Sequence, residues 1–278
     1  MINRFRRRLL IERLKTAYAI QRRARVFRRR AAIDRDPDAG KPAMPAELAH
    51  ETLAAVLKLA DQVGCRLFLM SGTLLGFHRN GRSLAHDHDI DLGVMADDGG
   101  LTEFLSALQA TGLVAGHRVR RAGRRVASLN PDLPRLPDGA LLHKLALATQ
   151  PGRHAPINVD VFVHFELAGE LAHGSLNTLW ANSFFDLEWS SVDGLDFWRP
   201  RDVERYLREN YGAFEDEVTD FDSHLDCPNV RNIYSRASVR FLLRKHRRYL
   251  GEGRADRLQR LDRRLKAMIG EEPLGSFG

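Results

Sequence analysis

The stretch His86-Asp87-His88-Asp89-Ile90-Asp91-Leu92-Gly93 sets the tightest limit on what this chain can become. Asp89 and Asp91 alternate with apolar Ile90 and Leu92, the period of a half-buried β-strand. Asp87, Asp89 and Asp91 are therefore expected to project from one face while Ile90 and Leu92 enter a core. Two unit charges about 4 Å apart at an effective dielectric near 20 repel by roughly 4 kcal/mol. That is a large part of the ~5–15 kcal/mol by which a domain is stable, so something must neutralise them. A hard divalent cation, magnesium first and manganese as the alternative, takes oxygen ligands and combines one or two carboxylates with substrate phosphates. Polyphosphate chemistry is the resulting expectation, with Asp89 and Asp91 as ligands and Asp87 as a further candidate.

The residues just upstream supply a complementary part. Cys65-Arg66-Leu67-Phe68-Leu69-Met70 reads as a strand running into the turn Ser71-Gly72-Thr73, after which Leu74-Leu75 begin a short helix. Glycine lets backbone approach a ligand closely, and the N–H groups at a helix start attract phosphate oxygens. Ser71, Gly72 and Thr73 are thus candidate phosphate contacts. Arg79 is either a guanidinium clamp on a diphosphate or an ordinary surface cation. Lys144, a charge inside the apolar run Leu141 to Leu147, is a second candidate for reaching phosphate. A third acid is expected from another strand, and Asn158-Val159-Asp160-Val161-Phe162-Val163 offers one. Asp160 is read as a metal ligand or general base, with a salt-bridged edge residue as the plain alternative.

Elsewhere the pattern is legible in outline. A helix is expected from Ala46 to Val63, with Pro45 in its first turn and Gly64 at its end, burying Leu53, Val56, Leu57 and Ala60. Ile90 to Met95 reads as a strand and Leu101 to Ala110 as a helix. Strands follow at Arg124 to Leu129, Leu141 to Thr149, Ile157 to Glu166 and Glu170 to His173, the last after an Ala168-Gly169 turn. Pro200 to Asn210 reads as a short helix closing at Tyr211-Gly212, followed by an acidic surface loop from Glu215 to Asp222. Asn232 to Ile269 is helical, interrupted at Gly251-Glu252-Gly253. The expected organisation is a basic N-terminal helix and linker (1–45), a catalytic domain (46–220) and a C-terminal helical extension (221–278).

Gly-Thr-Leu-Leu-Gly at 72–76, Arg79, and Asp-His-Asp-Ile-Asp-Leu-Gly at 87–93 resemble the signature of the LicD family, which includes bacterial phosphocholine transferases and the animal proteins fukutin and fukutin-related protein. Val192-Asp193-Gly194-Leu195-Asp196-Phe197-Trp198-Arg199-Pro200, then Tyr206-Leu207 and Tyr211-Gly212, are similar to the family's closing pattern of strand, proline, short helix and Tyr-Gly. The resemblance spans residues 50 to 215. It implies an α/β (α+β) nucleotidyltransferase-like fold, a mixed β-sheet with flanking helices. It also implies transfer of a phosphorylated alcohol from a CDP-linked donor to a hydroxyl of a cell-surface glycan. By the same resemblance Asp89 and Asp91 are the metal pair, Asp160 the third acid, and Gly72 with Thr73 the phosphate turn. The chain departs from the family at Ala85-His86, where Pro-Trp is common, and at Ala213-Phe214, where Asp-Trp often follows Tyr-Gly. Both changes are expected near the substrate mouth.

Two other functions compete. The same fold and acids also serve nucleotidyl transfer from an NTP to a small molecule or protein. An inactive scaffold binding membrane or nucleic acid through its basic ends is the non-enzymatic reading, against which the intact set of acids argues. The net charge of +7 does not itself favour nucleic acid, because residues 1 to 30 hold twelve Lys or Arg against the single acid Glu12 and the remainder is mildly acidic. A basic tail on an acidic body fits peripheral contact of residues 1–32 with an anionic membrane. Two cysteines in unlike settings suggest no disulfide framework. With neither an apolar signal segment nor a spanning run in view, a cytoplasmic enzyme at the inner membrane face is expected. His78, His86 and His88 lack partners at zinc-like spacing, and Trp180, Trp189 and Trp198 are read as core residues or as stacking platforms for a base or sugar. No serine or cysteine nucleophile with a nearby histidine is evident, and Gly72 to Gly76 does not have P-loop spacing.

Overall fold

The computed structural model describes residues 43–111, 114–121, 142–149, 157–174, 178–218, 220–232 and 236–269. The basic segment 1–32, most of the linker and the strand expected at Arg124 to Leu129 lie outside these residues. The chain divides into a unit spanning Gly40–Arg231 and a second to which the described helices after Asn232 belong.

The larger unit begins with α1, Ala46–Gln62, which buries Ala49, Leu53, Val56, Leu57 and Ala60 at helical spacing. Pro45 sits one residue earlier than expected, as an extended N-cap, and Gly64 at φ +72° ends the helix. The strand expected over Cys65 to Met70 is reduced to β1, Phe68–Leu69. The reason lies in the backbone: Cys65 N–H donates to the Ala60 carbonyl and Leu67 N–H to the Cys65 carbonyl, so these residues bond locally and not to a neighbouring strand. Helix α2, Ser71–Asn80, follows directly, then β2, Asp89–Met95, and α3, Leu101–Thr111.

The remaining strands are β3 Val114–Arg121, β4 Leu142–Thr149, β5 Asn158–Leu167, β6 Glu170–Gly174, β7 Thr178–Asn182, β8 Leu187–Val192, β9 Leu195–Pro200 and β10 Val230–Asn232, with α4, Val203–Tyr211, after β9. They form one mixed sheet in the order β10-β7-β6-β5-β2-β1-β9-β8, to which β4 adds through β5 and β3 through β4. Pairs β2/β5 and β1/β9 are parallel, while β1/β2 and β8/β9 are antiparallel. This is the mixed sheet with flanking helices expected for the fold class. Long β5 carries β4 beside its first half and β6 beside its last residues. Two hairpins close through two-residue turns with positive φ at both positions, Ala168-Gly169 and Asp193-Gly194, the turn geometry that matches strand twist.

Ile90, Leu92 and Val94 of β2 and Val159, Val161 and Val163 of β5 are almost wholly buried, as are Leu53 and Val56 of α1 and Phe104 of α3. Burial of each such side chain contributes roughly 1.5–3 kcal/mol, and this face fixes the register that turns the aspartates the other way. Gly93 lacks a side chain because the Phe68 ring occupies that space, 2.2 Å from where a Cβ would stand. The tryptophans divide: Trp180 is buried, whereas Trp189 is 49% exposed and meets the Trp198 ring edge-on at 5.2 Å. Both cysteines are free and buried, and burial first, then Asp98 and Glu103, pushes the Cys65 thiol up to about 12.

In the second unit, α5 (Arg236–Glu252) and α6 (Ala255–Ile269) pack on each other, with Leu242, Leu243, Tyr249, Leu261 and Leu265 buried. The connection passes through Gly253 at φ +72°, and the Arg254 N–H caps the Tyr249 carbonyl. No helix among the described residues is long and apolar enough to cross a membrane.

Candidate active site

Ser71, Gly72 and Thr73 are the first turn of α2, not a loop ahead of it. Met70 is the extended N-cap, and the first intrahelical bond runs from Leu74 N–H to the Met70 carbonyl. The amides of Ser71, Gly72 and Thr73 therefore precede the helical ladder, where N–H groups carry the positive end of the helix dipole. Ser71 itself is held at φ +48°, a left-handed conformation that costs a non-glycine residue on the order of 1–3 kcal/mol and often marks a functional position. Gly76, the other glycine of the motif, has a packing role. A Cβ there would stand 2.6 Å from the Arg82 carbonyl oxygen and 2.7 Å from the Leu84 nitrogen. The close approach lets the chain fold back along α2 and deliver Asp87 beside Gly72.

The three acids expected to act together do meet. Parallel pairing sets Asp91 directly opposite Asp160 and Asp89 opposite Asn158. One carboxylate oxygen each from Asp89, Asp91 and Asp160 lies within 4.8 Å of the others, all three residues being half-buried. Asp91 is also pegged in the plane of the sheet, since its N–H donates to Thr73 Oγ1 at 2.8 Å and its carbonyl accepts from Met70 N–H at 3.4 Å. The Thr73 side chain is thus engaged in holding the backbone of Asp91. Three clustered anionic oxygens, only partly shielded by protein, make a donor set suited to a hard divalent ion.

Asp87 stands apart. It precedes β2 and does not join the strand face, and its carboxylate lies against Gly72, 3.2 Å from where a Cβ would be. Its Oδ2 is buried with no hydrogen-bond partner, and burial first, then the charge of Asp89, raises its carboxyl to about 7. The expectation of one pleat carrying Asp87, Asp89 and Asp91 is corrected accordingly: the loop geometry set by Gly76 removes Asp87 from the strand, and Asp160 takes the third place.

Arg79 lies in the last turn of α2, about 12 Å along the axis from Ser71. There its guanidinium donates to the Asp216 carbonyl at 2.6 Å. The structure thus ties it to the acidic loop and away from the helix N-terminus. That loop is partly built into the fold, because Phe214 is 5% exposed and packs on His78 of α2 while Arg208 lies over its ring. At the departure from the family pattern Phe214 is therefore packed into the fold, while Ala213 beside it is exposed. Lys144 occupies β4 opposite Phe162, one pleat beyond Ala146, the residue opposite Asp160.

Helix α4, to which no sequence motif assigns a ligand, packs against α2, β7 and β9. Asp202 caps it, with Oδ1 accepting from Arg205 N–H at 3.1 Å. A buried amide network fastens it to the sheet: Asn229 Nδ2 donates to Asn210 Oδ1 at 2.9 Å and to Asn182 Oδ1 at 3.2 Å, and Glu209 accepts from Asn182 Nδ2 at 3.0 Å. The fastened helix holds Tyr206 and Tyr211 within the electrostatic field of Asp91. Burial first, and negative neighbours that include Asp91, hold both phenols above their usual range. The only sequence signal for them was their place in the closing Tyr-Leu and Tyr-Gly pattern.

A family described as LicD/FKTN/FKRP, nucleotidyltransferase domain, matches residues 64–128, which contain α2 and β2. The human ribitol-5-phosphate transferase FKTN is 24% identical over 190 residues, covering 66% of this chain and 36% of the relative. The proteins of the same description from Macaca fascicularis and Mus musculus match at the same identity and coverage. The chain thus spans about a third of the length of these curated relatives, 36% in each case.

Proposed function

As the chain belongs to the LicD family, we propose that it transfers a phosphorylated alcohol, of the ribitol-phosphate or phosphocholine kind, from a CDP-linked donor to a glycan hydroxyl. The observation that carries this reading is the convergence of Asp89, Asp91 and Asp160 beside the N-terminus of α2. The name of the relatives, ribitol-5-phosphate transferase, supports the class of group moved.

In this reading the amides of Ser71, Gly72 and Thr73 orient the donor's diphosphate by its oxygens. The acceptor hydroxyl oxygen attacks the phosphorus that bears the alcohol. A new P–O bond forms to the glycan, the bond from that phosphorus to the bridging oxygen breaks, and CMP departs with the bridging oxygen. Asp160, opposite Asp91 on the neighbouring strand, takes the hydroxyl proton. Asp89, Asp91 and Asp160 fit a magnesium or manganese ion, which when bound would neutralise charge on the transferring phosphate.

The test uses the full chain with magnesium, CDP-ribitol and a glycan acceptor, with nucleotide products separated by chromatography. CMP release that disappears in Asp91→Asn is the expected result. Undiminished release in that variant would remove the site from the reaction. Pyrophosphate released from an NTP, with no turnover of CDP-ribitol, would replace this reading with nucleotidyl transfer.

A further inference from the structure

Tyr206 presents an unfinished hydrogen bond at the centre of this site. The residue is 1% exposed, its ring meets Phe185 edge-on at 5.3 Å, and its backbone carbonyl accepts from Asn210 Nδ2 at 2.7 Å. Ring and backbone are therefore fully accommodated. The hydroxyl is not: Oη is enclosed and, although the Ser71 backbone and the Asn210 side chain adjoin it, it forms no hydrogen bond of good geometry. Buried polar groups are nearly always paired, and an exception calls for a missing partner.

The surroundings identify that partner by its chemistry. Helices α2 and α4 are in contact, and Tyr206 Oη stands between the Asn210 side chain of its own helix and the Ser71 amide at the start of a ten-residue helix, within the field of Asp91. The strained left-handed Ser71 is the residue it faces. A phenol can donate its proton, and the helix N-terminus attracts anions. An oxygen of a bound phosphate accepts from both at once. A carboxylate or neutral oxygen would use the hydroxyl equally well, but the adjoining carboxylate trio favours a ligand that also suits a divalent ion.

We propose that the Tyr206 hydroxyl donates a hydrogen bond to a phosphate oxygen of the bound donor at the N-terminus of α2, making Tyr206 a substrate-binding residue of this site. This rests on the reading of the site as one that holds a donor's diphosphate, and it adds a side-chain donor from α4 to the backbone amides of α2.

The experiment compares wild type with Tyr206→Phe, which keeps the ring against Phe185 and removes only the hydroxyl. Melting temperature is measured on the ligand-free full chain, and affinity by calorimetry with two probes in magnesium, CDP and inorganic pyrophosphate. The ligand-free variant should melt at or above the wild-type temperature, because an unpaired buried hydroxyl is removed. Its affinity for both probes should fall roughly ten- to hundredfold, the loss expected for a hydrogen bond to a charged group. Unchanged affinity overturns the proposal, including the case in which a trapped water satisfies the hydroxyl. A lower melting temperature, or failure to fold, also overturns it by showing that the hydroxyl is bonded inside the protein. Wild-type protein that takes pyrophosphate but not CDP refutes the CDP-linked donor, yet supports Tyr206 if the variant loses pyrophosphate. Wild type that binds neither overturns both.

Discussion

Thr73 Oγ1 accepts a hydrogen bond from the Asp91 N–H at 2.8 Å, so that a side chain in the first turn of α2 holds the backbone of the central carboxylate. Thr73 is 2% exposed, which denies the Asp91 amide a water if that oxygen is removed. Thr73→Val preserves shape and deletes the acceptor. The variant should lose about 1–3 kcal/mol of stability in urea titration, the cost of a buried donor left unpaired, together with most of its activity. Thr73→Ser should restore both. Full activity in the Val variant would show that Asp91 is positioned by the sheet alone.

The three carboxylates make opposite predictions with and without a cation. In metal-free buffer Asp89, Asp91 and Asp160 repel one another across less than 4.8 Å, so Asp91→Asn or Asp160→Asn should raise the melting temperature. Added magnesium should raise that of the wild type through binding to the folded state, and should leave the Asn variants nearly unmoved. Variants that are destabilised in metal-free buffer and still respond to magnesium would refute a shared cation site.

Gly76 separates packing from ligand contact within the Gly-Thr-Leu-Leu-Gly motif. A methyl group there meets backbone atoms of Arg82 and Leu84 at 2.6 and 2.7 Å, which cannot rotate away as a side chain can. Gly76→Ala should cost about 1–3 kcal/mol, as overpacking does, and should displace the segment that leads to Asp87. Differential scanning calorimetry checks it, and a variant as stable as wild type would show that the 82–84 loop yields freely.

The strand character of Asp89 to Met95 and the partnership with Asp160 were legible because burial imposes a strict alternation, and a slip of one residue would turn an apolar face outward. What alternation does not encode is where an acid just outside a strand will fall. Asp87 has the spacing of a strand residue, yet its position follows from a backbone contact at Gly76. Strands β8 and β9 went unassigned from periodicity, although Asp193-Gly194 is a strong hairpin signal. The exposed Trp189 and polar Ser190 and Ser191 blurred the pattern on this edge strand. Arg79 illustrates a further limit: a cation near a phosphate-binding turn in sequence lies at the far end of the helix, since ten residues of α-helix separate its ends by roughly 15 Å.

His164 supplies a pH-dependent test of the packing behind the carboxylates. On β5 it shares the face of Asp160 and is 1% exposed. It sits between the rings of Phe68 at 4.9 Å and His173 at 4.3 Å, with Phe185 edge-on at 6.1 Å. Burial pulls its pKa down to about 3 from 6.5, outweighing the opposing contact of Nδ1 with the Phe162 carbonyl at 3.3 Å. Between those values the unfolded chain binds a proton that the folded chain refuses, so this contribution to stability is complete above about pH 6.5 and falls as the pH drops towards 3. The slope reaches at most about 1.4 kcal/mol per pH unit. Near pH 5 His164 should therefore lower stability by about 2 kcal/mol relative to neutral pH. His164→Phe keeps an aromatic ring in the stack and removes the titrating group, while His173 stays in both proteins. The difference between wild-type and variant urea midpoints at about pH 7 and about pH 5 isolates this residue. A variant that loses as much stability on acidification as the wild type would show that His164 accepts its proton in the folded state.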